Sequence, residues 1–170
     1  GKNVMLRGVT TSAEAKTVLL KKLAKKGYTV MDCLKVLPDG KDLEGKTYGI
    51  INVSVANLRV SPDFSSEMMT QGLMGMPVRV LQRDGWIRIQ TPDDYIAWVH
   101  RVGVHPVTKE EMAAWNSAEK IVVTAHYGFV YSEPSQTSQT ISDVAAGNRL
   151  RWEGSKGAFY KVTYPDGRQG

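Results

Sequence analysis

Four side chains in this sequence are of types that do nucleophilic or acid–base chemistry near neutral pH: Cys33 and the three histidines His100, His105 and His126. A cysteine nucleophile must ionise and lie within reach of a base. A metal site needs Cys, His or carboxylate side chains at short, recurrent spacing. Neither pattern is present. Cys33 falls in a run from Tyr28 to Leu37 that reads as a strand, where a small buried filler is the expected role. The histidines fall in or beside strand and connector regions, with no metal-ligand spacing to Cys33, and read as structural or exposed. The sequence therefore predicts no catalytic residue, no metal and no cofactor.

The bulk properties are those of a globular chain long enough for two small domains: 170 residues, 42% hydrophobic and 23% charged. No run approaches the length of a membrane span. One cysteine excludes an internal disulfide. The chain begins at Gly1 and shows no secretory leader, which leaves open both a leader removed by processing and one that lies outside this stretch of the polypeptide. Much of the +5 net charge sits in Lys16, Lys21, Lys22, Lys25 and Lys26. Their plain reading is the solvated face of a helix; the sharper one is a patch for nucleic acid or an anionic polymer. No aromatic is interleaved with them before Tyr28, so no base-stacking platform is indicated, and nucleic acid is not an expected partner.

Three segments and a connector must position whatever function the chain has. Residues 1–45 read as strand, helix, strand. Val4 and Leu6 alternate with polar neighbours. Thr11 and Glu14 have capping-box spacing. Ala15, Val18, Leu19 and Leu23 form one apolar stripe, and Gly27 ends the helix. Pro38-Asp39-Gly40 reads as a turn. The unit resembles part of a small α/β module of the BON type and holds too few apolar residues to stand alone. Residues 46–104 hold short alternating runs (Tyr48 to Leu58, Met76 to Leu81, Trp86 to Ile89, Tyr95 to Val99) broken by Gly, Pro, Asp and Asn, the pattern of a small antiparallel barrel. Residues 105–118 form a helical connector. Thr108 and Glu111 cap it, and Trp115 is expected to anchor it to a neighbouring domain. Met68, Met69, Met74 and Met76 read mainly as core gap-fillers, and Trp86 and Trp98 as core or seam residues.

Residues 119–170 repeat the barrel. Val130, Pro134 and Gly147 follow Leu58, Pro62 and Gly75 at one common offset. Phe159, Val162 and Pro165 follow Trp86, Ile89 and Pro92 at an offset one residue longer. Such self-similarity marks a duplicated unit. The repeat places Val130 inward with Leu58, and Phe129 and Tyr131 outward, as an interface with a further domain or with a ligand. Gly170 falls opposite Ala97. In the first copy Trp98 and Val99 then complete a last strand, so the second copy is expected to find its closing strand, and a further domain, beyond Gly170.

The first copy contains Asn57-Leu58-Arg59, Ser61-Pro62, Gly75, Gly85-Trp86 and Asp94-Tyr95-Ile96-Ala97-Trp98-Val99. These resemble the bacterial SH3-type domain, with Ala97 in place of the family's usual glycine. The expected fold is therefore mainly β: two tandem SH3-like small barrels preceded by the small α/β segment. Two such barrels, with "TQGLMGMPVRVL" in the first, are similar to the N-terminal half of secreted, Bacteroides-like NlpC-type cysteine peptidases. Those relatives cut the γ-D-glutamyl–diamino acid bond of cell-wall peptides. The resemblance implies a catalytic domain of the same polypeptide after the second barrel, a cell-wall stem peptide as ligand, and a periplasmic or secreted location in the cell envelope. It implies that Tyr95 forms a wall of the pocket for the substrate's free N-terminal L-Ala; the plainer role is an exposed aromatic on a barrel rim. Some relatives carry a glutamate where this chain has Met76, which cannot pair with an ammonium group, so Asp93 or Asp94 is the stand-in. The alternative reading is a stand-alone peptidoglycan-binding module without an enzyme.

Overall fold

The computed structural model describes residues 2–170 and is mainly β. Strands β1 (Lys2–Thr10) and β2 (Tyr28–Val36) pair in parallel, joined by helix α1 (Ala13–Lys25). The helix starts one residue later than the Thr11–Glu14 pattern implies. Ser12 is the N-cap, its hydroxyl accepting from the Ala15 N–H at 3.0 Å. The apolar stripe also differs. Leu20 and Leu23 turn toward the sheet, whereas Val18 and Leu19 are 44% and 39% exposed. Two strands offer a helix one narrow lane, and Lys16 takes part of it. Its ammonium donates to the Leu34 carbonyl at 2.6 Å and pairs with Asp32 at 2.9 Å. That Lys16 hydrogen bond, with the Leu34 N–H, holds the Asp32 carboxyl below the usual range. Cys33 is exposed rather than buried. It lies across from Arg7, on the sheet face that α1 does not cover.

The first barrel unit comprises β3 (Tyr48–Ile51), β4 (Val55–Arg59), β5 (Met68–Leu73), β6 (Pro77–Asp84), β7 (Trp86–Gln90), β8 (Ile96–His100), a 3-10 turn (Arg101–Gly103) and β9 (Val104–Val107). They form one sheet in the order β5-β4-β8-β7-β6-β3-β9. The alternating runs send Leu58, Val80, Ile87, Ile89, Ala97 and Val99 into a single core, which Leu43 enters from the preceding segment. Each large side chain so buried contributes about 1.5–3 kcal/mol. Helix α2 (Lys109–Ser117) starts at the expected capping box: Glu111 N–H donates to Thr108 Oγ1 at 3.2 Å, and Thr108 N–H to Glu111 Oε2 at 2.8 Å. Trp115 is buried with Ile50, Val107 and Met112, and its indole N–H donates to the Gly75 carbonyl at 3.2 Å.

The remaining strands are β10 (Lys120–Val122), β11 (Tyr127–Tyr131), β12 (Thr140–Ala145), β13 (Arg149–Lys156) and β14 (Phe159–Thr163). Hydrogen bonds of the first unit recur here at equivalent positions. Gly75 N–H donates to Ile51 O, and Gly147 N–H to Val123 O, both at 2.8 Å. Val60 donates to Glu67 O as Ser132 does to Gln139 O. The bulge between Leu58 and Arg59 has its counterpart between Val130 and Tyr131. The one-residue insertion lies in the β13–β14 turn, where Gly157-Ala158 replace Gly85. Gly170 exchanges backbone hydrogen bonds with Val162 at 2.8 and 3.0 Å, the register in which Ala97 faces Ile89.

The units interlock. Met74 of the first is 1% exposed and lies in the core of the second, beside Val144, Leu150, Val162 and Tyr164. Its carbonyl accepts from Arg149 N–H at 2.9 Å. Asn148 Nδ2 donates to Ser54 O at 2.8 Å, and Asn52 Nδ2 to Asp166 Oδ2 at 2.9 Å. Burial pushes the Asp166 carboxyl up, but hydrogen bonds from Asn52 and Arg168 outweigh it and hold the group below the usual range. A depressed folded value means that this contact's stability is complete above the unfolded carboxyl's value, about pH 4, and is lost as pH falls through the folded one. Thermal melts between about pH 2 and pH 6 should show a shallower acid loss for Asn52→Ala than for the wild type. Parallel curves would mean that Asp166 does not report on the junction.

Candidate functional site

The turn from Thr91 to Tyr95 builds the most specific feature of the first unit. Thr91 N–H donates to Tyr95 O at 2.9 Å, and Asp94 N–H to Thr91 O at 3.0 Å. The Thr91 hydroxyl donates to Asp93 Oδ1 at 2.6 Å and accepts from Tyr95 N–H at 3.0 Å. Asp94 takes φ +67°, a conformation Asp tolerates better than most residues. Its carboxylate accepts from Gln90 Nε2 at 3.0 Å, and Gln90 in turn accepts from Arg79. The turn is rigid, and it leaves the Tyr95 side chain 46% exposed. At the equivalent place in the second unit Arg168 is tied down, lying over the Tyr164 ring at 4.7 Å and paired with Asp166 at 2.7 Å.

The register of β6, β7 and β8 puts Met76, Asp94 and Tyr95 at one end of the sheet. Met76 is packed against the first core, and its terminal methyl lies toward Gly72. Among the four methionines singled out in the sequence, Met68 and Met69 are exposed rather than core, and Met74 fills the other unit's core.

The outer face of the same sheet carries an aromatic row. Trp86 and Trp98 alternate with buried Ile87, Ile89, Ala97 and Val99, so they lie on this face rather than in the core. Trp86 faces His100 across the strands, and the Arg88 guanidinium lies 5.7 Å from the Trp98 ring centroid. Phe64, from the β4–β5 loop, closes on Trp86 at 4.8 Å and His100 at 5.1 Å. Sequence reasoning missed Phe64. Its signal was an aromatic in a polar loop, "SPDFSS", where no strand or helix needed it.

In the second unit Phe129 is exposed and packs edge-on with Tyr127 at 5.6 Å, while Tyr131 is half-buried. Val130 lies against the core between them. Beside β14, in the lane that β8 occupies in the first unit, runs a groove of about 540 Å³ lined by Val130, Tyr131, Phe159, Val162 and Gly170. Cys33 and the histidines do not form a group: among the described residues no cluster of His, Cys, Asp and Glu could hold a metal ion.

The class these features define is a mainly β, SH3-like fold. Residues 58–102 match the family described as the bacterial dipeptidyl-peptidase Sh3 domain. The fold is similar to an NlpC/P60 family protein from Bacillus cereus, with a TM-score of 0.58 at 20% identity over 72% of this chain. It is also similar to an NlpC/P60 endopeptidase from Photobacterium damselae subsp. piscicida, with a TM-score of 0.54 at 13% identity over 79% of this chain. The chain spans 52% of the first protein's length and 32% of the second's. No curated protein matches it.

Proposed function

We propose that this chain is the non-catalytic, substrate-restricting region of a cell-envelope endopeptidase acting on γ-D-glutamyl–diamino acid bonds. The observation that carries the reading is the family match over residues 58–102, which includes Tyr95 and its turn. A rigid turn presenting a half-exposed aromatic is suited to forming one wall of a pocket built jointly with a catalytic domain. Such a wall admits a stem peptide with a free N-terminal L-Ala and blocks a longer chain.

In the polypeptide that carries the catalytic domain, Tyr95→Ala is expected to lower kcat/KM for L-Ala-γ-D-Glu-diamino acid about tenfold, equivalent to about 1.4 kcal/mol. The same change should raise relative activity on N-acylated peptides. Unaltered kinetics on both substrates would remove Tyr95 from the pocket.

The outer aromatic row of Phe64, Trp86, His100 and Trp98 favours a second reading, a stand-alone peptidoglycan-binding module. Retention of this chain by purified peptidoglycan, lost in Trp86→Ala but kept in Tyr95→Ala, would favour that reading over the first.

A further inference from the structure

We propose that the solvent face of α1 docks on an anionic lipid bilayer surface. Charge is unevenly divided along the chain. Residues 2–36 carry eight basic and two acidic side chains, a net of +6, whereas the whole chain nets +5, which leaves −1 for everything after Val36. The excess positive charge therefore lies in the α/β unit, and most of it on and just after one helix, where Lys16, Lys21, Lys22, Lys25 and Lys26 stand against Glu14. Lys16 is spent on Asp32 and the Leu34 carbonyl. Lys21, Lys22 and Lys25 are exposed and stand three, four and seven residues after Val18, which places all of them on one face of α1.

The apolar residues choose among polyanions. Val18, in the middle of the lysines, and Leu19 beside it are 44% and 39% exposed, and no residue of α1 is fully buried. A nucleic acid or a soluble anionic polymer would neutralise the ammoniums and gain nothing from two aliphatic side chains. Nor does this face offer a ring on which bases could stack, since Tyr28 lies in β2. A bilayer surface satisfies both kinds of side chain. Its headgroup phosphates receive the lysines, and the boundary of its acyl region receives Val18 and Leu19. The long lysine stems can lie along that boundary with their ammoniums in the headgroup layer.

Co-sedimentation with vesicles of phosphatidylcholine containing about 30% phosphatidylglycerol, against vesicles of phosphatidylcholine alone, tests this. Near a charged surface each lysine contributes about fivefold to partitioning, so Lys21→Gln/Lys22→Gln/Lys25→Gln should weaken binding to anionic vesicles about 100-fold. Val18→Ser/Leu19→Ser should weaken it about tenfold at unchanged charge. All five positions are exposed, and an unaltered melting temperature will confirm that both variants fold. Absence of binding to anionic vesicles, or equal binding by the triple variant, overturns the proposal. It is also overturned, in favour of a soluble polyanion, if Val18→Ser/Leu19→Ser binds like the wild type while polyuridylic acid is retained as tightly as the vesicles.

Discussion

Gly75→Ala is expected to destabilise the protein by about 3 kcal/mol or more, and Gly147→Ala, the same change at the matching position of the second unit, by only about 1–2 kcal/mol. Both glycines have positive φ, +84° and +88°, so both substitutions carry the cost of a left-handed alanine. They differ in what the new methyl meets. At Gly75 it would stand 2.8 Å from Arg149 Cβ and closer still to the Arg149 carbonyl oxygen, and backbone cannot swing away. At Gly147 it would stand 2.8 Å from Leu73 Cδ1, the far end of a side chain that can change rotamer. Arg149 N–H also bonds to Met74 O, so a shift at Gly75 opens the junction between the units. Urea denaturation of the two variants gives the comparison directly. Equal losses would mean that the junction yields without cost and that left-handed strain is the whole effect.

Met74→Ala should cost about 2–5 kcal/mol, and the loss should fall first on the second unit. Met74 belongs to the first unit by sequence, yet its side chain lies among Val144, Leu150, Val162 and Tyr164. Truncation leaves a void that the surrounding strands cannot fill, because Leu150 and Tyr164 are themselves held in the same core. Amide exchange should therefore accelerate in β12, β13 and β14 before it does in β7 and β8. The control is Met68→Ala, at an exposed position six residues earlier, with an expected change of less than about 0.5 kcal/mol. Uniform acceleration across both units would show that they unfold as one body and that Met74 is not a local keystone. Because Met74 and Gly75 are neighbours at one contact, their losses should not add in the double variant.

Much of the architecture is legible in the order of residues. Alternation at period two identifies β7 and β8, since a strand buried on one side must place Ile87, Ile89, Ala97 and Val99 on that side. The Thr108–Glu111 pair marks the start of α2 because both halves of the capping box are local. The equal offset of Gly75 and Gly147 is local too: each follows its strand with φ near +85°, and each bonds back across its own unit. Tyr95 could be singled out only through the resemblance of Asp94-Tyr95-Ile96-Ala97-Trp98-Val99 to the family's motif, and the Thr91 hydrogen bonds that close the turn before it emerge only in the structure.

What could not be read was which surface each side chain meets. Periodicity assigns Val18 and Leu19 to an apolar stripe, but the two-stranded sheet reaches only Lys16, Leu20 and Leu23. Alternation puts Cys33 on one face of β2, and only the absence of a helix over that face makes it exposed. Met74 and Met68 look alike in sequence, and one fills the neighbouring unit while the other faces water. Phe64 joins Trp86 and His100 only because the β4–β5 loop folds over the outer face. By itself the sequence determined the mainly β elements and the start of α2, because side-chain alternation and hydrogen bonds within a few residues decide those. The tertiary structure alone decided the junction at Met74 and Gly75, the aromatic row and the uncovered lysine face, because burial depends on which distant element packs on a surface and how far it reaches.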